Sequence, residues 1–87
     1  MVSQKVMIKN SIGLHLRPAG NFCKEAMKFK SLITFRFSGG TANAKSVLSV
    51  LGAGVKYEDE IELICEGDDE EAALKTLVEA IESGLGE

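Results

Sequence analysis

An α+β fold of two layers, with three helices over one face of a four-stranded antiparallel sheet, follows from three features of the sequence. Apolar residues alternate in four short stretches, and they recur at three- and four-residue spacing in three others. The stretches come in the order βαββαβα, with a tight-turn signal, Gly39-Gly40, between the second and third strands. Three amphipathic helices cover only one face of such a sheet economically, which makes an open-faced sandwich.

Residues 2–8 set Val2, Val6 and Ile8 on one side and Ser3, Lys5 and Met7 on the other, the period of a strand. Asn10-Ser11-Ile12-Gly13 is a turn cluster. From about residue 16, Ala19, Phe22, Cys23 and Ala26 form a helical apolar stripe, and Pro18 suits the first turn, where a missing N–H costs nothing. Ile33, Phe35 and Phe37 alternate with Leu32, Thr34, Arg36 and Ser38 in a second strand, and a short third strand falls near 41–44. Ser46 is a good N-cap for the apolar burst Val47-Leu48-Ser49-Val50-Leu51, which Gly52 and Gly54 close. In residues 60–66, Ile61, Leu63 and Cys65 point inward and Glu60, Glu62 and Glu66 outward. Asp68 or Asp69 caps the last helix, whose stripe is Leu74, Leu77, Val78 and Ile81 and whose end is Gly84.

The 87 residues fit a single domain, 1–87, of ordinary globular composition, 45% hydrophobic and 26% charged. No apolar run approaches the ~18 residues of a membrane span, and Met1-Val2-Ser3-Gln4-Lys5 lacks a signal-peptide profile, so a cytoplasmic protein without membrane insertion is expected. Two cysteines in no ligand spacing and a single histidine argue against a disulfide framework or a metal site, and no cofactor is expected. Cys23 and Cys65 lie on predicted inward faces and read as small packing residues. No Trp, one Tyr and four Phe leave no stacking platform for nucleic acid. Charge is divided along the chain, +8 over residues 1–57 and −11 over 58–87. The acids lie within periodic segments, so folding interleaves the halves; a remaining basic face suits an acidic protein or a phosphate.

The segment Gly13-Leu14-His15-Leu16-Arg17-Pro18-Ala19 carries the chemistry. His15 falls at the start of the first helix, where the amides of Leu16, Arg17 and Ala19 and the helix macrodipole form a ready anion site. The same positive end, with Arg17 nearby, opposes a further positive charge on the ring and favours a neutral nucleophile. A phosphoryl group placed on that nitrogen meets the helix end and a planar multi-donor cation. A lone histidine at a helix start is more often a cap or a solvated side chain, and spacing alone favours that bland reading.

The odds change because Gly-Leu-His-x-Arg-Pro-Ala after an alternating strand resembles the active-site signature of the HPr family, the histidine-containing phosphocarriers of the bacterial sugar phosphotransferase system. Asn43-Ala44-Lys45-Ser46-Val47-Leu48 resembles the family's second signature, and the ending Glu82-Ser83-Gly84-Leu85-Gly86-Glu87 is also similar. The resemblance implies a sheet in the order 1-4-2-3. It implies a phosphocarrier, not a turnover enzyme, phosphorylated on Nδ1 of His15 by phosphorylated Enzyme I and discharged to sugar-specific IIA domains. It gives Arg17 the role of stabilising the phosphoryl group. Leu16, Arg17, Gly20, Val47, Leu48 and Leu51 become partner-binding residues, with Val50 inside. It makes Ser46 the regulatory site of HPr kinase/phosphorylase, whose product acts with a catabolite-control transcription factor. Two departures stand out: Leu16 replaces the usual small residue, which bears on partner choice, and Ser49 replaces a common Gly.

Two other readings have specific markers. A purely regulatory HPr-like module, acting as corepressor through phosphorylated Ser46, has no need of the active-site histidine, which is present here. The nitrogen-related branch of carriers is less typical in Lys45-Ser46 and its apolar surroundings. A nucleic-acid-binding domain rests on the +8 half alone.

Overall fold

The computed structural model describes residues 1–86; Glu87, the last residue of the C-terminal motif, lies outside them. The elements are β1 (Val2–Met7), α1 (Leu16–Ala26), β2 (Leu32–Phe37), β3 (Gly40–Asn43), α2 (Val47–Gly52), β4 (Glu60–Glu66) and α3 (Glu70–Glu82). The strands form one antiparallel sheet in the order β1-β4-β2-β3. Architecture and strand order are those expected.

Strand register explains why the helices share one side. Val6 pairs with Ile61, and Ile33 and Phe35 pair with Cys65 and Leu63, so these residues line one face, where they are buried. Ala19, Phe22 and Ala26 of α1, Val50 of α2 and Ala73, Leu77 and Ile81 of α3 close over them. The outward positions include exposed Ser3, Lys5, Leu32 and Arg36. Ala73 joins the core from a position that the predicted stripe of α3 omits, while Leu74 is only half-buried. The β2–β3 turn is Ser38-Gly39, with Phe37 opposite Gly40, so the expected Gly39-Gly40 turn begins one residue earlier. Cys65 is buried as expected; Cys23 is half-buried at the rim of α1. Burial pushes the Cys65 thiol up to about 11, with Glu70 and Asp69 adding to the effect, which keeps it protonated and inert.

Asp69 is the residue whose role differs most from expectation. It stands at the N-cap of α3, and its carbonyl accepts the first helical bond from the Ala73 N–H at 2.9 Å. Its side chain does not cap. Oδ2 instead accepts from the Lys30 N–H at 2.8 Å, and Oδ1 from the Ser31 N–H at 2.9 Å and from the Ser31 hydroxyl. The short connection after α1 is thereby tied to the start of α3. Gly67 permits this approach: its φ is +152°, and a Cβ there would fall 2.7 Å from Ser31 Oγ.

The Ser31 hydroxyl, followed by the Lys30 amide, holds the Asp69 carboxyl below the ordinary aspartate range. Glu70 is lowered too, first by the Gly67 N–H and then by the chain's amino terminus. A carboxylate with a lowered folded-state pKa stabilises the fold above its unfolded value of ~4 and loses that contribution as pH falls through the folded value. Urea unfolding of Asp69→Asn is therefore expected to show a lower midpoint than the parent at pH 7. The gap should close as both are titrated below pH ~4. A gap independent of pH would assign the loss to shape and not to the charged clasp.

Candidate functional site

His15 is the N-cap of α1. Its backbone is extended (φ −80°, ψ −171°), and its carbonyl accepts the Ala19 N–H at 2.9 Å, the first bond of the helix. The sequence expectation counted Ala19 among the unsatisfied donors; the amide belongs to the ladder instead. Leu16 and Arg17 supply the two amides ahead of it, since Pro18 has none. The imidazole makes no capping bond to the helix, as Ser or Asp would at this position, so its chemistry is not spent on capping.

The turn that delivers His15 is built by Gly13. Its φ is +76°, and a Cβ on it would fall 2.4 Å from Val55 O and 2.8 Å from Lys56 Cα. Only glycine lets residues 13–14 press against the 55–56 backbone, where the Leu14 N–H donates to Val55 O at 3.0 Å. The Gly13 N–H donates to Asn10 O at 2.8 Å, and the His15 N–H to Gly13 O at 3.0 Å. His15 itself is half-buried, while Leu16 and Arg17 are exposed.

Ser46 is an N-cap as predicted: Oγ accepts the Ser49 N–H at 3.2 Å, and its carbonyl accepts the Val50 N–H at 3.0 Å. Ser49, at the position where a glycine is common, has a use the sequence did not reveal. Its hydroxyl accepts the Asn43 N–H at 2.9 Å and stitches α2 to the end of β3. Asn43 Oδ1 accepts the Lys45 N–H at 2.9 Å, and Lys45 Nζ reaches Phe29 O at 2.6 Å. A six-residue helix is too short to persist unaided, and these bonds fix its start.

Helices α1 and α2 pack together. Leu16 is 69% exposed and Leu48 78%, large apolar side chains that the fold leaves in water. Val47 and Leu51 are half-buried against the core, Val50 is fully buried, and Gly20 is half-buried. The six expected docking residues thus separate into three that are open, Leu16, Arg17 and Leu48, and three that are partly covered. Sequence analysis missed Met27, which is 64% exposed. Leu16, Gly20, Cys23 and Met27 recur at i, i+4, i+7 and i+11, a second apolar line along α1 that its spacing could have revealed.

Two surface grooves lie elsewhere: one is lined by Val2, Leu74 and Val78, another by Asn21, Ala80 and Leu85, and His15 lines neither. Among the described residues there is no cluster of metal-ligating side chains, and no helix is long and apolar enough to cross a membrane. The arrangement is an imidazole at a positive helix end, an exposed arginine two residues on and exposed apolar side chains.

A family model described as the PTS HPr component phosphorylation site matches residues 2–83. The chain is 46% identical to part of a multiphosphoryl transfer protein of Vibrio cholerae, over 92% of this chain but only 21% of that longer one. It is 39% identical to the HPr-like protein Crh of Bacillus subtilis, covering 88% of this chain and 91% of the relative. It is equally identical, 39%, to the phosphocarrier protein HPr of Mycoplasma pneumoniae, covering 90% of each. Among solved structures, HPr-C-His of Thermoanaerobacter tengcongensis superposes with a TM-score of 0.95 at 44% identity, over 100% of this chain and 98% of that one.

Proposed function

The chain belongs to the HPr family of phosphotransferase-system phosphocarriers, and from that premise we propose that His15 accepts a phosphoryl group from phosphorylated Enzyme I and passes it to sugar-specific IIA domains in the cytoplasm. The observation that carries this reading is the non-capping histidine at the N-cap of α1, with Arg17 two residues on. The lone pair of Nδ1 forms a P–N bond as the bond from phosphorus to the donor atom of Enzyme I breaks, and that donor atom keeps the released electron pair.

The protein's contribution is electrostatic. The phosphoryl oxygens gain the Leu16 and Arg17 amides at the helix end and the Arg17 guanidinium. Exposed Leu16, next to His15 in sequence, and exposed Leu48, on the helix packed against α1, offer the partner an apolar seat. On this reading residues 1–87 act as one domain and the chain is a carrier, not a turnover enzyme.

With Enzyme I and phosphoenolpyruvate, the parent protein should take up one acid-labile phosphate and His15→Ala none, at unchanged far-UV circular dichroism. Undiminished labelling of that variant would remove His15 from the mechanism. Charge-assisted hydrogen bonds contribute ~1.5 to ~3 kcal/mol, so Arg17→Ala should slow transfer roughly ten- to a hundredfold, with Arg17→Lys intermediate. Transfer at the parental rate would leave Arg17 without a role.

A regulatory role for Ser46, through a serine kinase and a catabolite-control factor, draws support from its place. Its hydroxyl is at a helix start two residues from exposed Leu48, where ~2 added negative charges are tolerated by the helix and oppose an acidic or apolar partner. Ser46→Asp should keep the fold and raise the KM for Enzyme I, more at low salt than at high. An unchanged KM at low salt would reduce Ser46 to a helix cap.

A further inference from the structure

The turn that follows α3 is held from both sides of His15. Residues 84–86 all take positive φ: +92° at Gly84, +51° at Leu85 and +78° at Gly86. The Leu85 N–H bonds to Ala80 O at 3.0 Å and the Leu85 side chain is buried, so the turn is a firm part of the core. Two adjacent carbonyls of this turn meet side-chain amides. Asn10 Nδ2 donates to Gly84 O at 2.6 Å, and Asn21 Nδ2 donates to Leu85 O at 2.7 Å.

The two asparagines lie on either side of His15, one on the loop that leads to it and one on the helix that leaves it. Asn10 is only 1% exposed, and its Oδ1 has no partner among the described residues. From Asn10 the bonds continue to the site: its carbonyl accepts the Gly13 N–H, and the Gly13 carbonyl accepts the His15 N–H. Asn21 sits one turn beyond Arg17 on α1. A Cβ on Gly86 would fall 2.7 Å from Asn21 Nδ2, so the turn approaches this helix as closely as a glycine allows.

We propose that Asn10 and Asn21 are positioning residues for phosphoryl transfer. By tying the loop and the helix to neighbouring carbonyls of one turn, they fix the angle at which the His15 ring stands over the end of α1. The proposal rests on the reading of His15 as phosphoryl acceptor. A misplacement of ~1 Å can cost ~10²-fold in rate, so loosening one arm should cost about tenfold.

Asn10→Asp and Asn21→Asp each keep the side-chain size and replace the donor with an acceptor. Asn21 is half-buried, so its variant carries the test if the Asn10 variant fails to fold. Transfer from Enzyme I and phosphoenolpyruvate is measured at a temperature where circular dichroism shows each protein fully folded. The expected result is a fall of about tenfold in kcat with little change in KM. Asn21→Gln, which restores a donor, should recover part of it. The double variant should lose less than the product of the single losses, because both act on one clamp. Variants that melt earlier but keep the parental kcat, or that change KM alone, would overturn the proposal. A parent protein that takes up no acid-labile phosphate would overturn the phosphocarrier reading and this proposal with it.

Discussion

Phe22 meets Phe35 at a ring-centroid separation of 5.8 Å, and neither ring is exposed to water. Burying a phenylalanine fully is worth roughly 1.5–3 kcal/mol, and aromatic pairs add ~0.5–1.5 kcal/mol through their tilted geometry. That contact fixes α1 over β2. Once the middle of α1 is fixed, Leu14, Pro18 and Ala19 hold its start in the core and leave Leu16 and Arg17 exposed. The site therefore sits between an anchored helix and the loop that Gly13 presses against residues 55–56. Its precision comes from the hydrophobic core, while its chemistry comes from the few residues that the core does not cover.

Strand order settles how the charge division along the chain is absorbed. β4, from the acidic part of the sequence, lies between β1 and β2 from the basic part. Glu62 stands opposite Lys5 on one side and Arg36 on the other. Residues far apart in sequence become cross-strand neighbours of opposite sign, each pair worth a few tenths of a kcal/mol to ~1 kcal/mol. The cations of α1 and the residues before α2 have no acidic strand inserted among them.

Periodicity made the seven elements legible, because burial of one face imposes a repeat that any strand or helix must display. His15 was legible for a different reason, as a sole histidine within a dense motif. What stayed hidden has no local signature. The bonds from Asn10 to Gly84, from Asn21 to Leu85 and from Ser31 to Asp69 join residues 74, 64 and 38 positions apart. An asparagine in a turn cluster reads as a turn residue whether or not its amide reaches the far end of the chain. Asp69 reads as a helix cap because aspartate usually is one, yet two amides and a hydroxyl from another loop outcompete its own helix. Ala19 was misassigned as a free donor for want of the exact first residue of α1, a boundary that spacing leaves uncertain by one or two positions.

The two ends of α3 give the molecule an asymmetry of attachment. The Met1 amine pairs with Glu70 Oε2 at 3.1 Å, at the start of that helix, and the turn at 84–86 lies past its other end. Thirteen helical residues at ~1.5 Å each separate the two by about 20 Å. A fluorophore, surface linker or fusion partner joined ahead of Met1 would disturb a single exposed ion pair. The same addition after the C-terminal motif would load the turn that Asn10 and Asn21 both grip. Immobilising the protein by one end or the other is consequently not a neutral choice for anyone measuring its transfer kinetics.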